Sequence, residues 1–296
     1  MSNLIMKGGE ETMRIYKSVE GERFVRERYK AFLRRWPVPN QQIVVPTSQG
    51  ETFVIVSGLD DAPALLLLHG GAANSAMWMG EVTAFAHFFR VYCIDMIGEP
   101  GLSAPARPAL ASDAHAAWLD DVLNHLGVAR ASILGVSLGG WLALDYAIRR
   151  PARVERVAVL CPGGIGRQKV GIVFATLLSR IFGRRGKRWL MERILGRAPV
   201  DPPPPVKAFL DFGALIHRHF RPRMVKLHFS DRALASVRVP LLAIVGARDV
   251  LFDSAQTKRR LETLVNGAQV VYLPEAGHMI AGQTARVLEF MSSGRN

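Results

Sequence analysis

The chain is short of cysteine, of acidic side chains and of long apolar runs, and each shortage narrows what it can be. Two cysteines occur in 296 residues, Cys93 and Cys161. Both sit in apolar, strand-like runs, which predicts buried reduced thiols and fits a cytoplasmic protein. No Cys/His spacing resembles a zinc site, so no metal is expected. No apolar run reaches the roughly 18 residues of a membrane span. The first ten residues lack the apolar core of a secretory leader, and the first fifteen or so read as frayed. There are no internal repeats.

The acid deficit has a location. Asp and Glu number 25 against 38 Lys and Arg, a net charge of +13. Between Gly163 and Ser236 there are 15 Lys and Arg against 4 Asp and Glu, a surplus of 11. Such a stretch favours anionic substrates or an acidic membrane surface, or is simply a solvated basic face. No nucleic-acid motif accompanies it, so no nucleic-acid partner is expected. The remaining composition, 49% hydrophobic and 21% charged, is that of a globular chain able to bury a large core.

What is present is an alternation of strand and helix around one stretch, Gly135-Val136-Ser137-Leu138-Gly139-Gly140. An apolar strand, 131–134, runs into it and an apolar-faced helix, 141–148, leaves it. A serine between glycines at a strand-to-helix junction is the pattern of a nucleophile elbow. The turn is so sharp that only very small side chains fit two residues either side of the serine. The new helix aims its unpaired N–H groups and partial positive charge at the same point.

Before the elbow the pattern gives a helix over 18–36, stopped by Pro37 and Pro39. A hairpin of strands near 42–45 and 52–56 follows, and then a buried strand, 64–68, running into His69-Gly70-Gly71-Ala72. A helix near 76–88, a strand over 90–95 and a helix from Ser112 to Gly127 complete that half. Here His69 reads as a structural residue and Asp95 as a brace for its turn. A further strand, 154–160, follows the elbow helix. From Gly163 to Ser236 the strand pattern stops; the apolar pieces 172–178, 189–195 and 209–216 read as helices, divided by the proline run 202–205. The strand pattern resumes at 239–246 and 269–273, and a helix over 283–291 closes the chain. The expected organisation is therefore an α/β core of 1–162 and 237–296 with a helical cap inserted at 163–236. The core is a mostly parallel sheet with helices on both faces.

Asp249 follows the 239–246 strand and His278 follows the 269–273 strand. With Ser137 they give the chain order Ser, Asp, His expected of a triad on such a sheet. Asp253 shares a loop with Asp249 and competes for the acid's place.

These residues carry a resemblance. The chain is identified as a member of the α/β-hydrolase superfamily on the elbow, the His69-Gly70-Gly71 loop, the Asp95…Gly98…Gly101…Ser103 turn, Asp249 and His278. Within that superfamily it is most similar to bacterial carboxylesterases, through its N-terminal helix, Trp36-Pro37-Val38-Pro39 and the 95–101 turn. The resemblance implies an eight-stranded sheet and a serine hydrolase that cleaves small to medium apolar acyl or aryl esters. Ser137 is then the nucleophile, His278 the general base and acid, and Asp249 the residue that orients His278. The backbone amides of Leu138 and Gly71 form the oxyanion hole, with Ala72 the fallback for Gly71; one such donor is worth about 3 kcal/mol. No cofactor is needed, and the partner is a small-molecule ester. Ser137 disfavours the haloalkane dehalogenases and related epoxide hydrolases, which carry aspartate at the elbow. Lactonases, carbon–carbon bond hydrolases, cofactor-free perhydrolases and a slow-turnover ligand receptor are the alternatives. The oligomeric state is left open.

Overall fold

The computed structural model describes residues 15–169, 171, 181–196, 201–223 and 228–294. The expected frayed start and the expected helix at 172–178 lie outside them. Two compact units emerge. The first comprises Met1–Ala129 with Pro204–Met224, and the second Arg130–Pro203 with Val225–Asn296.

In the first unit four strands lie in the order β1-β2-β4-β3, from β1 (Asn40–Val45), β2 (Thr52–Ser57), β3 (Ala64–Leu68) and β4 (Arg90–Ile94). β1 and β4 flank β2 antiparallel, and β3 runs parallel to β4 with Leu66 opposite Tyr92. The apolar run at 64–68 forms a central strand because leucines face both sides, and Leu65–Leu68 are fully buried. Helix α1 (Val19–Leu33) begins one residue after Ser18, whose hydroxyl accepts the Gly21 N–H at 3.0 Å. It ends three residues before Trp36, whose indole N–H instead donates to the Ser57 hydroxyl.

Helix α1 packs on a helix spanning Pro204–His219. Tyr29 stacks on Phe212 at 6.3 Å between ring centroids, and Phe32 lies 5.0 Å from the same ring. A Cβ on Gly21 would meet the His219 imidazole, so glycine is what lets the two helices approach there. The proline run lies between this helix and the one at Gly183–Leu195, and its last two members, Pro204 and Pro205, open this one at positions where no N–H is needed. Residues 204–224 thus go with the first unit and 163–203 with the second.

One expected element differs. Residues 75–86 form a short 3₁₀ segment, Ser75–Gly80, and then a single helical turn, α2 (Val82–Ala86). The start is fixed by Asp95, which takes both the Ser75 N–H and its hydroxyl. That pins the chain in a tight turn, and Gly80 then breaks it.

The second unit is wholly parallel, with order β5-β6-β7-β8 from β5 (Ala131–Val136), β6 (Val154–Leu160), β7 (Leu241–Gly246) and β8 (Gln269–Leu273). Helix α3 (Ala114–His125) belongs to the first unit and precedes β5 in the chain, and α4 (Leu138–Arg149) follows β5. Every residue of β5 and β7 is buried, whereas β8 is only partly covered, as expected of an edge. Later helices span Gly183–Leu195, Asp231–Ala235, Ser254–Leu264 and Thr284–Ser292. Among the described residues, no helix is long and apolar enough to cross a membrane.

Candidate active site

The elbow is built by close backbone approach. A Cβ on Gly135 would drive into the carbonyl oxygen of Gly139, and one on Gly140 would press on the Gly135 carbonyl and Pro162. Ser137 takes φ 52° and ψ −106°, a conformation that side-chain-bearing residues rarely adopt. Three backbone bonds hold it there. Its N–H donates to Leu160 O at 2.9 Å, and its carbonyl accepts from Trp141 N and Gly163 N. Ser137 is half-buried and so remains accessible, and the first amides of α4 lack intrahelical acceptors.

Asp249 and His278 are brought to the serine by the loops after β7 and β8. Those loops touch because Gly246 has no side chain; a Cβ there would strike the Ala276 and Gly277 carbonyls. Backbone bonds from Ala247 N to Leu273 O and from Arg248 N to Ala276 O fix the pair. His278 Nδ1 lies 2.8 Å from Asp249 Oδ2, and His278 Nε2 lies 3.1 Å from Ser137 Oγ. A carboxylate oxygen only accepts, so Nδ1 carries the proton and Nε2 is left to accept the serine hydroxyl proton. Asp249 is 1% exposed and His278 5%, and the Phe252 ring lies 5.5 Å from the imidazole. The other oxygen of Asp249 accepts the amides of Leu251 (2.7 Å) and Phe252 (3.1 Å), which locks the carboxylate plane.

Asp253 is occupied elsewhere. It is the N-cap of the Ser254–Leu264 helix, its Oδ1 accepting Gln256 N at 2.9 Å. Cys161 lies directly behind the elbow with φ 41°, and burial pushes its thiol well above the usual range. It and Cys93 are both free and buried.

The loop after β3 belongs to the first unit. His69 Nε2 accepts the Met96 N–H, so its Nδ1–H donates to Gly70 O, and burial pushes its pKa down. It is a neutral brace, as the sequence suggested. Asp95 accepts Tyr29 OH, Ser75 N, Ser75 Oγ and Leu102 N. Gly71 is exposed, and among the described residues no protein acceptor takes its N–H. Ala72, with φ 55°, donates its N–H to Glu99 Oε2 at 2.6 Å.

Comparison with known proteins agrees with this architecture. A family model described as alpha/beta hydrolase fold matches residues 63–202. Carboxylesterase YbfK of Bacillus subtilis (strain 168) is 30% identical over 297 residues, covering 96% of this chain and 99% of that protein. The chain belongs to the α/β-hydrolase family. The crystal structure of carboxylesterase CesB (YbfK) from Bacillus subtilis superposes with a TM-score of 0.79 at 30% identity, covering 93% of this chain and all of that one. Naproxen esterase (carboxylesterase NP) from Bacillus subtilis superposes with a TM-score of 0.72 at 27% identity, covering 91% and 93%. This α/β-hydrolase is therefore carboxylesterase-like over nearly its whole length.

Sequence reasoning missed Glu99 in this hydrolase. It lies in the Gly98-Glu99-Pro100-Gly101 turn, which reads as a plain turn, yet its side chain is 4% exposed. The signal available was a charged residue in an otherwise apolar stretch, 96–102. Burial pushes its carboxyl up to about 7, although the Ala72 amide, Arg107 and Arg223 all favour the charged form.

Proposed function

We propose that the chain is a serine carboxylesterase that cleaves small to medium apolar acyl or aryl esters through an acyl-enzyme. The observation that supports this most is His278, bonded at one nitrogen to Asp249 and at the other to Ser137. In this reading Ser137 Oγ attacks the ester carbonyl while His278 Nε2 takes its proton. The tetrahedral oxyanion is held by backbone amides, for which Leu138 and Gly71 are the proposed donors. Collapse expels the alcohol, which receives the proton from His278, and leaves an ester on Ser137. Water attacks that ester by the same route, with His278 again the base, and frees the acid. Asp249 keeps the imidazole in the required tautomer and stabilises its cationic form. The naming of YbfK and the naproxen esterase as esterases supports an ester bond as the target. Residues 163–236 are read as a cap whose Phe, Leu, Ile and Met side chains suit an apolar group.

The test is an alkyl fluorophosphonate label with the modified residue mapped, followed by a p-nitrophenyl ester series. Labelling at Ser137 with turnover, both abolished in Ser137→Ala and His278→Ala, is the expected result. Binding without turnover would favour the receptor alternative, and labelling elsewhere would refute the assignment of the nucleophile.

A further inference from the structure

Two loops of the first unit, 69–76 and 95–103, are cross-braced at four points. His69 accepts from Met96 N, Ala72 N donates to Glu99, Asn74 Nδ2 donates to Pro100 O, and Ser75 bonds to Asp95. Three of these involve residues that the sequence already marks as loop formers. The fourth is a buried carboxyl aimed at the amide next to Gly71.

Glu99 is placed with some care. Gly98 turns with φ 74°, and its N–H donates to Ala104 O. Arg107 Nε clamps the Gly98 carbonyl at 3.0 Å, and Glu99 N donates to Met96 O. Arg107 is held in turn by the Arg221 carbonyl and the Phe220 ring. A carboxyl is a poor choice for filling a buried space, because it must be desolvated. A hydrogen bond that an apolar residue could not make is what accounts for it.

That bond fixes the one loop residue that resists its own conformation. Ala72 has a Cβ and sits at φ 55°, where alanine is strained, so the turn needs an external hold. With Ala72 N occupied, the exposed Gly71 N–H beside it is left without a protein acceptor among the described residues. We infer that Glu99 is a positioning residue: by capturing the Ala72 amide it holds the left-handed turn and selects Gly71, not Ala72, as the loop's oxyanion donor. The inference rests on the esterase reading above.

The experiment compares Glu99→Leu, which removes the acceptor, with Glu99→Gln, which keeps a neutral one. Steady-state kinetics on p-nitrophenyl butyrate and inhibition by a trifluoromethyl ketone, whose adduct carries the oxyanion, are measured for each. Displacing one donor by an ångström costs roughly 100-fold. Glu99→Leu is therefore expected to lose about that in kcat, with KM within about twofold and ketone affinity falling in parallel. Glu99→Gln is expected to recover most of the loss. A Glu99→Leu enzyme with kcat within about threefold of the parent, or a Glu99→Gln enzyme as impaired as Glu99→Leu, would overturn the inference. Circular dichroism tells whether Glu99→Leu folds; if it does not, Glu99→Asp, one methylene shorter, takes its place in the same comparison with the same criteria. A parent enzyme that neither turns over nor labels at Ser137 would sink the esterase reading and this one together. Normal turnover and labelling with no effect at Glu99 would sink this one alone.

Discussion

Replacing Glu99 by glutamine tests the physics of that buried carboxyl through stability. Its ordinary value is 4.5, and burial raises it to about 7 in the folded protein. Between those pH values the folded chain keeps a proton that the unfolded chain has released. Stability therefore falls as pH rises through this window, being greatest below 4.5 and fully diminished above about 7. At about 1.4 kcal/mol per pH unit, the gap is worth about 3 kcal/mol. The Ala72 N–H, Arg107 and Arg223 face the carboxyl and already limit the rise, so this is what remains after their help. Glutamine cannot ionise, so Glu99→Gln removes the pH-dependent part. Urea unfolding of parent and variant at pH 5, 6, 7 and 8, followed by tryptophan fluorescence, gives the difference at each pH, and the other titrating groups cancel. The variant should gain on the parent by about 2–3 kcal/mol between pH 5 and pH 8. A difference that stays flat, or that moves in the parent's favour as pH rises, would refute the reasoning.

Other expectations concern the hydrogen-bond chain and the braces around it. Asp249→Asn should lower kcat by about 10⁴-fold on a p-nitrophenyl ester, because an amide in that place favours the wrong tautomer. Asp253→Asn, altering only a helix cap, should leave kcat within about threefold and cost about 1 kcal/mol or less of stability by urea unfolding. Gly135→Ala places a Cβ against the Gly139 carbonyl, so kcat should fall at least about 100-fold even where circular dichroism shows a folded chain. Tyr29→Phe removes one of four donors to the Asp95 carboxylate and should destabilise by about 1.5–3 kcal/mol in the same urea assay.

What could be read from the sequence and what could not divides along the range of the forces involved. The elbow was legible because its requirement is local and steric. Gly135 must clear Gly139 four residues away, and no other residue does so. β3, β5, β6 and β7 were legible because a strand covered on both faces must be apolar throughout, and a run such as Leu65–Leu68 has few other uses. Asp249 and His278 could be nominated because each follows a strand end. The bond between them depends on Gly246, whose role as a gap between two loops no periodicity reveals. The break in the 75–86 helix was illegible for the same reason, since Asp95 is twenty residues further on. The Pro204–His219 helix could be drawn from its pattern, but its partner, α1, lies far away in sequence and is met through ring stacking. Glu99 was least visible of all. A turn glutamate is usually solvated, and only the burial of this one and its bond to the Ala72 amide show it to be otherwise.

Strain ties these observations together and supplies a last expectation. Among the described residues, three non-glycine residues have positive φ: Ala72, Ser137 and Cys161, following β3, β5 and β6. Each such residue costs about 1–3 kcal/mol and persists only where its surroundings hold it. Ser137 is held by backbone bonds to Leu160, Trp141 and Gly163, and Cys161 by a bond to the Ile244 carbonyl. No substitution removes a backbone carbonyl. Ala72 is different, since its amide is held by a side chain, and Glu99 can be replaced. If the purpose of Glu99 is to keep a reluctant alanine in a left-handed turn, then a residue indifferent to that turn should need it less. Ala72→Gly introduced into Glu99→Leu should therefore restore kcat by about five- to thirtyfold, corresponding to the roughly 1–2 kcal/mol that an L-residue loses in that conformation. The double variant's kcat on p-nitrophenyl butyrate, set beside that of Glu99→Leu alone, decides the matter. Equal rates would mean that Glu99 acts through its charge on the site and not through the shape of the loop.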